Sequence, residues 1–160
     1  MLASIAARRL ICCAASLLLL LALLAHPAQA QSDAPGGALD LGTIDFPTSA
    51  SGEARTEFLT GVLALHSFWY PEARDHFRRA QALNPQFAMA YWGEAMTHDH
   101  PLWDQHDNDA GRAILAQLDA VRDASGLAWT DRERGYVDAI RTLYTGEGDI
   151  ETRRDAYAAA

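Results

Sequence analysis

Between Phe58 and Trp103 the chain carries a spacing that few folds accommodate. Gly61, Ala73, Phe77, Ala80 and Pro85 follow one another at the intervals of a helix–turn–helix unit that repeats every 34 residues. Tyr91 opens the next unit, 34 residues after Glu57. A unit of this kind cannot bury its apolar face alone and must stack on a neighbour. The spacing therefore predicts an all-α chain of antiparallel helix pairs, stacked one on the next.

Composition agrees with that reading. Hydrophobic residues make up 49% of a 160-residue chain, a length that suits one domain. Ala and Leu dominate, and both lose little on entering a helix. β-Branched residues are sparse outside Ile114, Val121, Val137 and Ile140. Lys is absent, and the net charge is −8. An acidic chain repels phosphate backbones and anionic headgroups, which argues against nucleic acid as a partner.

Met1 to Ala30 reads as a secretory signal peptide. Arg8 and Arg9 form the basic start, Leu10 to Leu24 the apolar stretch, and Ala28-Gln29-Ala30 the small–x–small cleavage site. The apolar stretch is 15 residues long, short of the ~20 that a membrane span needs. Cleavage before Gln31 removes two positive charges and leaves −10, in a periplasmic or secreted protein with no membrane attachment. Both cysteines, Cys12 and Cys13, lie in the leader, so the mature chain has no disulfide or thiol chemistry.

Residues 31–50 read as a linker and an extended arm, and residues 51–160 as the helical-repeat domain. Gln31 to Gly37 is polar and rich in turn formers. Leu39, Leu41, Ile44 and Phe46 follow, and Pro47 holds Phe46 extended. Their apolar side chains are expected to dock on the first helix pair. Ser51 is placed to cap a helix from about Glu53, with Phe58, Val62, Leu65 and Trp69 on one face. Gly61 on that helix admits a close neighbour, as does Ala95 one unit later. Pro71 suits the first turn of a second helix, whose inward face is Ala73, Phe77, Ala80 and Leu83 and which Asn84-Pro85 ends.

A third helix starts at Phe87 and carries Tyr91, Trp92, Ala95 and Met96. His98 to Asp109 interrupts the pattern with an insertion of about six residues relative to the repeat period. Ile114, Leu115, Leu118 and Val121 restore a helical stripe, which Ser125-Gly126 closes. Thr130 and Glu133 form a capping box for another helix containing Val137, Ile140 and Tyr144. A turn over Gly146 to Asp149 leads to a last helix from Ile150. Ala160 falls mid-helix without a cap, so the repeat pattern anticipates further units beyond it.

These segments carry a family resemblance. Ile44-Asp45-Phe46-Pro47-Thr48, His66 to Ala73, Ala88 to Met96 and His100-Pro101-Leu102-Trp103 resemble tetratricopeptide repeat (TPR) proteins, and among them an exported bacterial group. The resemblance spans nearly all of Leu41 to Ala160. Thr60 and Ala64 depart from the pattern, standing where Leu and an aromatic residue are usual. The resemblance implies a right-handed α-solenoid fragment that binds a protein or peptide in a concave groove. By the repeat template, Arg55, Phe58, Val62, Leu65 and His66 line that groove from the first unit. Met89, Trp92, Met96, Asp99 and His100 line it from the second.

Other chemistry is thinly represented. There is no nucleophile elbow, phosphate loop or dinucleotide fingerprint, so the chain does not read as an enzyme and implies no cofactor. His98, His100 and His106, with Asp99, Asp104, Asp107 and Asp109, form the one ligand-rich cluster. Imidazole and carboxylate suit Zn²⁺ or a similar ion. The spacing matches no established metal motif. A metal-binding accessory role is therefore the alternative to the scaffold reading, and a polar loop capping two helices is the plainer account. Trp69, Tyr70, Tyr91 and Trp92 read as core aromatics, with a ligand cage as the alternative. Arg78, Arg79, Arg153 and Arg154 read as solvated helix faces.

Overall fold

A computed structural model describes residues 41–125 and 129–160. The chain divides into units Met1–Ala38 and Leu39–Ala160, and every described residue belongs to the second. The leader, the polar linker, Leu39 and Gly126 lie outside the described residues.

The described chain is all-α apart from one short hairpin. Six helices follow in order: α1 (Gly52–His66), α2 (Tyr70–Leu83), α3 (Ala88–Met96), α4 (Asn108–Ser125), α5 (Asp131–Thr145) and α6 (Ile150–Ala159). Between α3 and α4, strands β1 (Asp99–His100) and β2 (Gln105–His106) pair antiparallel around a 3₁₀ turn at Pro101–Trp103. Sequence periodicity had no means to show strands of two residues. The hairpin closes because Asp104 adopts a left-handed conformation (φ 49°), which a short polar side chain tolerates.

Helix α3 is the hub. It touches α1, α2, α4 and α5, and Ala88 to Ala95 are all buried. Its small residues allow this crowding. The Phe77 ring of α2 is fully buried against two glycines, Gly61 of α1 and Gly93 of α3. A Cβ on Gly61 would stand 2.8 Å from that ring, and one on Gly93 would overlap it. Gly93 is closely approached two residues before Ala95, which is itself fully buried. The Ala95 carbonyl accepts a 2.6 Å hydrogen bond from the buried Tyr144 hydroxyl of α5. Gly111 of α4 repeats the device, lying flat against the Tyr144 ring.

Local signals behave unevenly. The Thr130–Glu133 capping box forms as read, and Asp149 caps α6 through Thr152 N–H at 2.9 Å. Ser51 occupies the N-cap of α1 but makes no capping hydrogen bond; the residue after it, Gly52, has φ 60° in place of a helical value. Leu83 was expected to face inward. It ends α2 and is 47% exposed, so Ala73, Phe77 and Ala80 alone form the buried stripe.

Candidate functional site: the face that carries the arm

Helices α1, α3 and α5 each present an aromatic residue to residues 41–50, which run without regular secondary structure. Leu41, Ile44 and Phe46 pack against the core. The Phe46 ring sits 5.4 Å from Phe58 of α1, 6.1 Å from Trp92 of α3 and 5.5 Å from Tyr136 of α5. The Arg132 guanidinium lies 5.2 Å from both the Phe46 and Tyr136 rings. Edge-on and tilted aromatic contacts of this kind each contribute about 0.5–1.5 kcal/mol beyond area burial. The arm therefore docks across three helices, where the sequence pointed to the first pair.

Glu133 fixes the other end of the arm. The Ser49 N–H donates to its Oε1 at 3.2 Å, and the Ser49 hydroxyl donates to the same oxygen. Its Oε2 accepts from the Thr130 N–H at 3.1 Å and from the Thr130 hydroxyl at 3.0 Å. Burial pushes this carboxyl up, but the hydrogen bonds from Ser49 and Thr130 outweigh it and hold the pKa below its ordinary value. One side chain thus caps α5 and anchors the arm.

A groove lies next to the Phe46 contact and is bordered in part by Ala158 and Ala160. Arg132, Gly135, Tyr136, Ala139 and Tyr157 also border this groove, of about 400 Å³, between α5 and α6. Arg132 and Tyr136 belong both to this groove and to the arm contact. The Trp92 indole N–H beneath the arm is buried and makes no hydrogen bond of ordinary geometry, although it faces the Tyr157 hydroxyl.

The groove residues drawn from the repeat template fall in three places. Phe58, Val62, Met89 and Trp92 are buried in the core, with Phe58 and Trp92 reaching the arm; they are not an open surface. Leu65 and Met96 are partly buried against that core, Arg55 is half-buried, and His66 is exposed. Asp99 and His100 sit in the hairpin. The template failed here because the arm and neighbouring helices cover the apolar residues. Glu133, Arg132 and Tyr136 were missed; the capping box was the one available signal for Glu133.

The hairpin holds two of the three histidines, His100 and His106, and His98 directly precedes it. Successive strand residues point to opposite faces. Asp99 pairs with His106 on one side, and His100 with Gln105 on the other. His106 Nδ1 donates to Asp99 Oδ1 at 3.0 Å. Arg154 of α6 closes on the same carboxylate at 2.8 Å, so buried Asp99 is matched by two partners. His100 stacks on Tyr70 at 3.8 Å, and its Nε2 donates to the Thr97 carbonyl at 2.9 Å. His98 is half-buried; burial first, then the Arg74 charge, lowers its pKa. The three histidines border one open polar cleft of about 760 Å³ beside Arg74. Among the described residues, no three His, Asp or Glu side chains are arranged to hold a metal ion. The ring nitrogens of His100 and His106 are instead engaged by protein groups.

Two arginines depart from the solvated role expected of them, whereas Arg78 and Arg79 stay exposed. Arg154 bridges Asp99 and Asp104. Arg153 donates to the Leu143 carbonyl at 3.0 Å, and Arg78 pairs with the buried Glu94 at 2.7 Å. No helix among the described residues is long and apolar enough to cross a membrane. No protein-family model matches this chain, and neither does any curated protein or solved structure.

Proposed function

We propose that this chain is an exported, TPR-like scaffold that binds an extended peptide along the face of α1, α3 and α5. The observation that carries the reading is the arm itself. An irregular, extended segment lies across that face with an aromatic side chain clasped by three helices and a serine held by Glu133. A partner peptide would continue this mode into the adjacent groove, placing an apolar or aromatic side chain between Tyr136 and Tyr157. A partner carboxylate would meet Arg132 there. This is extended-peptide recognition on a helical scaffold. The pairing of α1 with α2 and α5 with α6, with α3 against both α1 and α5, is compatible with stacked repeats. Delivery outside the cytoplasm rests on the leader sequence.

Selection of a random peptide display library on the purified chain tests the proposal. Enriched peptides should share an aromatic residue in an extended run. They should lose at least tenfold in affinity for Arg132→Ala and for Tyr136→Ala, both of which keep their helicity. Failure to enrich any sequence, or enrichment indifferent to both substitutions, overturns it.

A further inference from the structure

The turn between α1 and α2 is built at a cost that packing does not explain. Trp69 N–H bonds to the Ala64 carbonyl at 2.9 Å and Phe68 N–H to the Leu65 carbonyl at 3.0 Å. These are the two bonds of a Schellman motif, which puts Phe68 at the left-handed position that glycine normally fills. Phe68 has φ 61°, an outlier for a bulky residue, and its side chain is 51% exposed rather than buried. Strain held in this way is found where geometry serves a function.

What the strain achieves is a three-walled box. Phe68, Tyr70 and Trp103 border a cavity of about 210 Å³, with His100 and Gln105 beside them. Phe68 and Trp103 lie 5.7 Å apart at 75°, Tyr70 and Trp103 6.0 Å apart at 83°, and Phe68 and Tyr70 6.4 Å apart at 60°. Trp103 meets Phe68 and Tyr70 edge to face, and Phe68 and Tyr70 are tilted against each other around the cavity. A cation is attracted to a ring face within ~6 Å. His100 stacks on Tyr70 and steadies that wall. Among the described residues, the arginine–ring contacts involve Phe46, Trp129 and Tyr136 and none of the three rings of this box. The chain's net charge of −8 favours a cation, and the Asp99 charge, after burial, raises the Tyr70 hydroxyl pKa.

We infer that Phe68, Tyr70 and Trp103 form an aromatic cage for a small, soluble quaternary ammonium compound. Upright walls suit a compact alkylated cation, whereas a sugar ring prefers a flat platform. The polar groups of the lining are the Tyr70 hydroxyl, Gln105 and His100, and the His100 ring nitrogens are already engaged by Gln105 Oε1 and the Thr97 carbonyl, which leaves too few acceptors for the three N–H donors of a primary ammonium. The site is separate from the arm-bearing face and does not depend on the peptide reading.

Choline is the probe, added to the ¹⁵N-labelled protein while the Trp103 indole N–H is followed by NMR. A saturable shift with a dissociation constant on the order of 1 mM is expected. The neutral tert-butyl isostere of choline should bind at least tenfold more weakly. Phe68→Gly should abolish the response of Trp103 to choline without lowering the melting temperature, because glycine relaxes the turn. Trp103→Leu, followed through ligand-observed NMR, should weaken choline at least tenfold while keeping apolar area. Absence of saturable binding, equal binding of the isostere, or unchanged binding in Phe68→Gly overturns the inference. Binding to phosphatidylcholine vesicles without binding of free choline overturns it as well.

Discussion

Two glycine-to-alanine substitutions should move stability in opposite directions, and the reason is the Phe77 ring. Gly93 and Gly135 both lie inside helices, where alanine is intrinsically better by about 1 kcal/mol. A Cβ on Gly135 meets nothing within 4 Å, so Gly135→Ala should gain about 0.5–1 kcal/mol. A Cβ on Gly93 overlaps three carbons of the Phe77 ring. That ring is fully buried, with Gly61 close and the Phe58 ring 5.8 Å away, so it has nowhere to retreat. Overpacking costs about 1–3 kcal/mol or more and outweighs the propensity gain, leaving Gly93→Ala destabilised by about 1–2 kcal/mol. Urea unfolding followed by circular dichroism measures both. Phe77→Leu should soften the Gly93→Ala penalty, since the two sites share one contact and a double-mutant cycle isolates it. A Gly93→Ala chain as stable as the parent would refute the close interlocking of α2 with α3.

Three further outcomes follow from named contacts. Tyr144→Phe should cost about 1–2 kcal/mol in the same assay, because the buried Ala95 carbonyl loses its 2.6 Å donor. Asp99→Ala should cost about 3–5 kcal/mol, leaving Arg154 and His106 without their shared carboxylate, and Arg154→Met in the same chain should recover part of the loss. The folded-state pKa of Glu133 lies below the ordinary 4.5, so its contribution is complete above pH 4.5 and is lost as pH falls through the lowered value. Acid should therefore release the arm, read as a change in tryptophan emission around Trp92, and Glu133→Gln should remove that step. His98 acts in the same direction at higher pH. Burial and Arg74 hold its folded pKa below the ordinary 6.5, so its share of stability declines as pH drops beneath that value.

The helices were legible because their signals are local. Phe77 and Gly61 announced a close crossing, Pro71 and Asn84-Pro85 bracketed α2, and Thr130 with Glu133 opened α5. What stayed hidden depends on partners distant in sequence. Phe46 reads as an apolar residue before a proline, and nothing nearby names Tyr136 as its neighbour. Asp99 and Arg154 are 55 residues apart and meet only because α6 packs back beside the hairpin. The histidines look like a ligand set in sequence and do border one cleft, yet the ring nitrogens of His100 and His106 are taken up by protein partners. Of Trp69, Tyr70, Tyr91 and Trp92, read as core aromatics with a cage as the alternative, Tyr91 and Trp92 are buried in the core and Trp69 is exposed. Tyr70 alone joins the box with Phe68 and Trp103, because the left-handed turn at Phe68 has no signature in the residue itself.

The claim that the face of α1, α3 and α5 receives an extended aromatic segment is tested most directly with the arm's own sequence. A fluorescent peptide spanning residues 39–50 is titrated into the parent chain and into a Phe46→Ala chain, with helicity checked in both. In the parent the tethered arm competes, and the peptide should bind weakly. In Phe46→Ala the pocket between Phe58, Trp92 and Tyr136 is free, and affinity should rise at least tenfold. Equal binding to the two chains, or none to either, would contradict the account.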